Sequence, residues 1–119
     1  MFEYNFEKLE IWKLSLGVIK EVNKLVKRLP SNERYVLIEQ IKRAALSIAL
    51  NIAEGWGRKT KKDFSRFVSN AIGSTLEVIA CLRIIQDLEY LKENELKDLN
   101  ELLKELYFKI LKFSDYLNK

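Results

Sequence analysis

The sequence predicts an all-α fold, a single domain folded as an up-down-up-down antiparallel four-helix bundle with a left-handed twist. Three observations predict it. One Pro and four Gly in 119 residues leave few helix breakers among abundant Leu, Lys, Glu and Ile. Apolar residues recur at alternating spacings of three and four along four long stretches. Only short segments separate those stretches, and short connections make helices antiparallel neighbours.

The first helix is predicted over about residues 6–28, ended by Leu29-Pro30, because the residue before a proline is pushed out of the helical region. It carries two apolar stripes. Leu9, Trp12, Leu16, Ile19 and Val26 form one, and Ile11, Val18, Val22, Leu25 and Leu29 form the other. The second stripe implies either a deep core position or a contact between subunits.

The second helix is predicted over about 32–54, with Ser31 or Asn32 as its cap and Gly55 in the left-handed conformation that closes many helices. Leu37, Ile41, Ala44, Ala45, Ile48 and Ile52 face inward, and Leu46 and Leu50 lie beside a polar line on the opposite side. Gln40, Arg43, Ser47, Asn51 and Glu54 form that line, which reads as a structural network at a helix or subunit interface. Arg43 and Glu54 are roughly 16 Å apart along the axis, so they cannot pair within a protomer without a bridge, and pairing across subunits would solve this.

Thr60-Lys61-Lys62-Asp63 reads as a capping box that opens a third helix over about 61–91. Phe64, Val68, Ala71, Thr75, Val78, Leu82 and Ile85 keep a strict alternation of four and three, the signature of a supercoiled seam. Gly73 costs about 1 kcal/mol in a helix interior, which implies close approach of another helix. The fourth helix, about 95–117, has the cleanest seam: Leu96, Leu99, Leu103, Leu106, Ile110, Phe113 and Leu117, widened by Leu102, Phe108 and Leu111.

Composition bounds the function. A chain of this length buries about two thirds of the surface its unfolded form exposes, so it needs no staple. The lone Cys81 excludes a disulfide within the chain, and the acidic start Met-Phe-Glu-Tyr-Asn-Phe-Glu is unlike a secretory signal, so a cytoplasmic location is expected. Each apolar run is interrupted before the ~18 to 20 residues that span a bilayer, so no membrane span is expected. The chain has no His, which removes the commonest general base and metal ligand. Asp63, Glu77 and Asp87 are spaced too far along one helix to share a metal, and Cys81 reads as a small core residue. No catalytic, metal or cofactor residue is assigned, and no enzymatic activity is expected.

The net charge is only +4, but Arg58, Lys59, Lys61, Lys62 and Arg66 set five cations against the single carboxylate of Asp63 within nine residues. This turn lies at the positive end of a helix, where free amides and mobile cations suit phosphate. It is the candidate nucleic-acid site, weighed against a loop that carries charge only for solubility. Trp56, between two glycines, is a candidate base-stacking residue, weighed against folding back on the core.

The segments Gln40-x-x-Arg43-Ala44-Ala45-x-Ser47-Ile48, Asn51-Ile52-Ala53-Glu54-Gly55-x-Gly57-Arg58, Asp63-Phe64-x-x-Phe67 and Ala71-x-Gly73-Ser74-x-x-Glu77, with Leu29-Pro30-x-x-Glu33 before them, resemble the four-helix-bundle proteins encoded in intervening sequences of bacterial 23S ribosomal RNA genes. The resemblance covers almost the whole chain. It implies a ring-shaped homopentamer and a distant relation to the accessory variability determinant proteins of diversity-generating retroelements, which are basic and partner nucleic acid. The expected partners are further copies of the chain and RNA or a nucleoprotein. The alternative is a protein-interaction scaffold with no nucleic-acid affinity of its own.

Overall fold

Four helices form where the periodicity places them: α1 (Glu10–Val26), α2 (Glu39–Trp56), α3 (Lys61–Asp87) and α4 (Glu93–Leu117). They are seen in a computed structural model that describes all 119 residues. Side-chain pairs across three of the seams run in opposite directions along the two helices. Glu10 meets Lys109 and Arg28 meets Glu95; Gln40 meets Glu77 and Ser47 meets Ser74; Ser65 meets Asn118 and Arg83 meets Asn100. The neighbours are therefore antiparallel, with α4 closing the square on α1.

The predicted inward residues of α2 and the whole α3 seam are buried, as are Ile11, Val18, Val22, Leu25 and Leu29 of the first segment. That second stripe of α1 is thus core rather than subunit surface. In the other stripe Leu9, Trp12 and Ile19 are half-buried against the same core and Val26 is buried, leaving Leu16 as the exposed member. The α4 seam is buried except for half-buried Phe113. Phe108 does not widen it: its ring is exposed.

Helix ends depart from expectation for local reasons. Residues Asn5–Lys8 form a separate 3-10 turn, because the Tyr4 amide donates to the Glu7 carboxylate at 2.7 Å and Phe6 packs edge-on against Trp12. Leu9 is extended, and α1 starts only at Glu10. Neither Ser31 nor Asn32 caps α2. Ser31–Glu33 make a second 3-10 turn and Arg34–Ile38 one wide π-helical turn, which buries Leu37 and leaves Tyr35 and Val36 in solvent. The Tyr90 hydroxyl fastens this segment by donating to Glu33 at 2.8 Å.

Gly55 is not left-handed; α2 runs through it to Trp56. Its role is close packing, since a β-carbon there would lie 2.8 Å from both Phe64 Cδ1 and Phe67 Cβ. Gly73 is the reverse case, with nothing within 4 Å of its β-position, so no helix of the same chain approaches it. The left-handed residue is Glu89, at φ 62°. It ends α3 four residues early, with the Tyr90 and Glu89 amides donating back to the Ile85 and Gln86 carbonyls.

α4 begins two residues early because the Glu95 carboxylate accepts the Lys92 amide at 3.0 Å while also binding Arg28. One composition reading also changes. α3 has a window of mean hydropathy 1.4, long and apolar enough to cross a bilayer by length and composition, because its interruptions are mostly Ser, Thr and Gly rather than charges. In the bundle its seam is covered by α2 and α4.

Candidate nucleic-acid interface

The basic turn lies where α2 hands over to α3. Thr60 is extended and its hydroxyl accepts the Asp63 amide at 3.1 Å, so the Thr60 half of the predicted capping box forms, while the Asp63 carboxylate does not reach back to complete it. The Asp63 carboxylate does not stay free to neutralise lysines. It accepts both Arg66 Nε and Nη2, at 3.2 and 2.9 Å, and stands 3.8 Å from Arg58 Nε. Arg58 also holds Glu54 at 3.1 Å. The two guanidinium groups lie over the Phe67 ring, 4.5 and 4.6 Å from its centroid, where the ring face favours cations.

The five predicted cations therefore divide. Arg58 and Arg66 are tied to carboxylates and to Phe67, while Lys59, Lys61 and Lys62 have no carboxylate within bridging distance. The three lysines have unopposed charge, Lys61 and Lys62 on the first turn of a 27-residue helix and Lys59 just ahead of its cap. Such a cluster can bind phosphates through exchangeable, salt-sensitive contacts.

Trp56 folds edge-on against Phe64, centroids 6.1 Å apart, and still keeps 41% of its surface exposed. Phe64 in turn meets Phe113 at 5.4 Å, and Phe113 meets Tyr116 at 6.2 Å. These four rings make a row across the end of the bundle, from α2 through α3 to α4. Tyr116 is 57% exposed, more than Trp56, and Lys61 Nζ sits 5.1 Å from its ring centroid. Sequence reading missed Tyr116 because it is fifty-five positions from Lys61; only antiparallel packing of α3 and α4 joins them.

The polar line of α2 is resolved within one chain. Gln40 donates to Glu77 at 3.0 Å, and Ser74 donates to the Ser47 hydroxyl at 2.9 Å, so these two residues stitch α2 to α3. Asn51 reaches back to Ser47 at 2.8 Å. Arg43 finds Glu39 at 2.8 Å and Glu54 finds Arg58, so neither needs a second subunit to be paired. Asp63, Glu77 and Asp87 remain apart, each in a different setting.

Cys81 is buried, and burial first, then the nearby Glu77 charge, pushes its thiol above the usual range. A thiol so placed is a poor nucleophile at neutral pH.

The profile of the 23S rRNA-intervening sequence proteins matches residues 7–112, nearly the whole of this architecture. The chain belongs to the 23S rRNA-intervening sequence protein family. No curated protein matches it. The 23S rRNA-intervening sequence fold is also present in a crystal structure of a protein of unknown function from the S23 ribosomal protein family of Bacteroides thetaiotaomicron. The two chains share a TM-score of 0.79 at 24% identity, over 87% of this chain and 97% of that one. At that identity the likeness concerns the fold.

Proposed function

We propose that this 23S rRNA-intervening sequence protein is a non-enzymatic, cytoplasmic, homo-oligomeric bundle that presents the basic end of α3 to RNA, free or in a nucleoprotein. One observation carries the reading. The acids near the turn are taken by Arg58 and Arg66, which leaves Lys59, Lys61 and Lys62 unopposed beside free helix amides.

Support for assembly comes from the outer side of the α2–α3 pair. Leu46, Leu50, Leu76 and Ile84 are each about half exposed, and Ser69, Gly73 and Ala80 keep the α3 side of this face low. Gly73 has open space over it within its own chain, which suits a helix from a second copy. Five copies follow from the family resemblance, and a ring repeats each cationic turn, so weak contacts add.

The non-enzymatic reading rests on the lack of His, on a raised Cys81 thiol, and on Asp63 and Glu77 being tied to separate partners. The exposed leucines of α2 and α3 also favour the second reading, a scaffold that binds only protein.

The test is a mobility shift with structured RNA at low salt, for the natural chain and for a K59A/K61A/K62A variant. Binding by the first and loss in the second is expected; equal binding, or none by either, removes the reading. Sedimentation at micromolar concentration tests assembly, where Leu76→Arg is expected to yield monomer. A stable monomer of the natural chain contradicts it.

A further inference from the structure

The carboxy-terminal turns of α4 and the start of α1 enclose an open cleft of about 660 Å³ that the basic turn does not include. Its apolar wall is Leu9, Ile11, Phe113 and Tyr116, and Lys109, Lys112 and Lys119 stand at its edge. The volume falls in the range of about 300 to 1,000 Å³ typical of small-ligand sites, enough for a nucleotide. Lys109 is spent on Glu10 and Glu105, whereas Lys112 and Lys119 have no carboxylate within bridging distance. Lys61, on α3, does not line the cleft itself but holds its ammonium group over the ring of Tyr116, which does, 5.1 Å from the centroid.

Two features of this corner recur in single-strand binders. An exposed aromatic face takes any base by stacking, and unpaired cations on either side take the flanking phosphates. Tyr116 supplies the face, at 57% exposure, and its ring stays in place because it leans on Phe113, 6.2 Å away, which itself packs on Phe64. Trp56 is at the far end of the same aromatic row and engages only the Phe64 edge. Asp115 is the one carboxylate of the cleft without a cation partner, so Lys61, Lys112 and Lys119 leave the corner net positive.

The geometry points to the α1–α4 cleft as a binding site for single-stranded RNA, with one base stacked on Tyr116 and the adjoining phosphates held by Lys61 and Lys112. This rests on the RNA-binding reading above and extends it from a basic turn to a composite site on three helices. It also assigns polarity to the surface. The lysines of the α3 turn hold backbone, and the α4 tyrosine holds a base.

Fluorescence anisotropy with a labelled oligouridylate tests it, using the full chain, Tyr116→Leu, Tyr116→Phe and a K61Q/K112Q variant. Loss of the ring is expected to weaken binding roughly 5- to 140-fold, while Tyr116→Phe retains it. K61Q/K112Q is expected to flatten the log-log salt slope by about 1 to 1.5. A blunt RNA duplex of equal length is expected to ignore Tyr116→Leu.

If the natural chain binds the oligonucleotide and Tyr116→Leu binds it within twofold, the cleft is overturned and the basic-turn reading survives. If the natural chain binds no RNA, both fall. Equal competition by a polyglutamate peptide of the same charge overturns base stacking, since charge alone then suffices. Tyr116 is exposed, so the leucine variant is expected to keep its circular dichroism, and a folded control is available.

Discussion

Gly55 faces Phe64 across the α2–α3 seam so closely that a β-carbon on the glycine would lie 2.8 Å from the ring's Cδ1. The same β-carbon would meet Phe67 Cβ at 2.8 Å, an atom fixed to the backbone, so rotation of one ring does not relieve the clash. Gly55→Ala is expected to destabilise the bundle by about 1 to 3 kcal/mol, the usual range for an overpacked core. Gly73→Ala, on an open helix face, is expected to stabilise the protomer by about 0.5 to 1 kcal/mol. Urea denaturation of the two variants measures both, and equal signs would contradict the packing described.

Glu89 adopts φ 62° to end α3, a conformation that costs an L-residue roughly 1 to 2 kcal/mol. Glu89→Gly is expected to raise stability by up to about 1 kcal/mol, because relief of strain exceeds the added freedom of the unfolded chain. A lower melting temperature for this variant would show that the carboxylate, not the backbone, matters there.

The hydrogen bond to Glu33, then burial, then the Glu33 charge raises the Tyr90 phenol above its ordinary value near 10. Lys109 is raised too, chiefly by its bonds to Glu10 and Glu105. Both groups hold their protons more firmly when folded, so their stability contribution is full below the unfolded pKa and is lost as pH rises through the folded one. Thermal melts are expected to fall as pH rises above about 10, the region of the ordinary tyrosine and lysine values of about 10 and 10.4. Tyr90→Phe is expected to make that fall shallower; an unchanged profile would mean the Glu33 contact does not form in solution.

The buried Cys81 thiol, raised by desolvation and by Glu77, is expected to resist an aromatic disulfide reagent at pH 8 in the folded protein. It is expected to react promptly in denaturant. Fast labelling of the folded chain would place the thiol at the surface.

The seams were legible because their signal is redundant. Seven positions of α3 repeat four-three spacing, and one polar exception, Thr75, hides its hydroxyl by donating to the Ala71 carbonyl at 2.8 Å. Helix ends carry no such redundancy. Glu89 ends α3 without the Gly that marks a left-handed residue, and the wide turn at Arg34–Ile38 has no composition cue at all. Gly55 misled because a glycine near a helix end suits either a cap or a tight seam, and only Phe64 and Phe67 decide between them.

The candidate interface was half legible for a similar reason. Arg66 with Asp63 is a separation of three within α3, which helix geometry alone pairs, and Arg58, just past the end of α2, folds back on Glu54 four residues before it. Discounting them would have left Lys59, Lys61 and Lys62 as the free cations. Tyr116 and Lys112 look like ordinary outer positions of an amphipathic helix; they gain a role only once α4 lies between α1 and α3.

The central claim, that lysines left free by arginine pairing bind phosphate, is tested most directly by the salt dependence of RNA binding. With three free lysines engaged per chain, the log-log slope on single-stranded RNA is expected to be about −2 or steeper, and K59A/K61A/K62A is expected to flatten it towards zero. R58Q/R66Q, which alters charges already paired, is expected to change the slope by less than about 1. No binding at about 50 mM salt, or a slope that the lysine substitutions leave unchanged, would contradict the account.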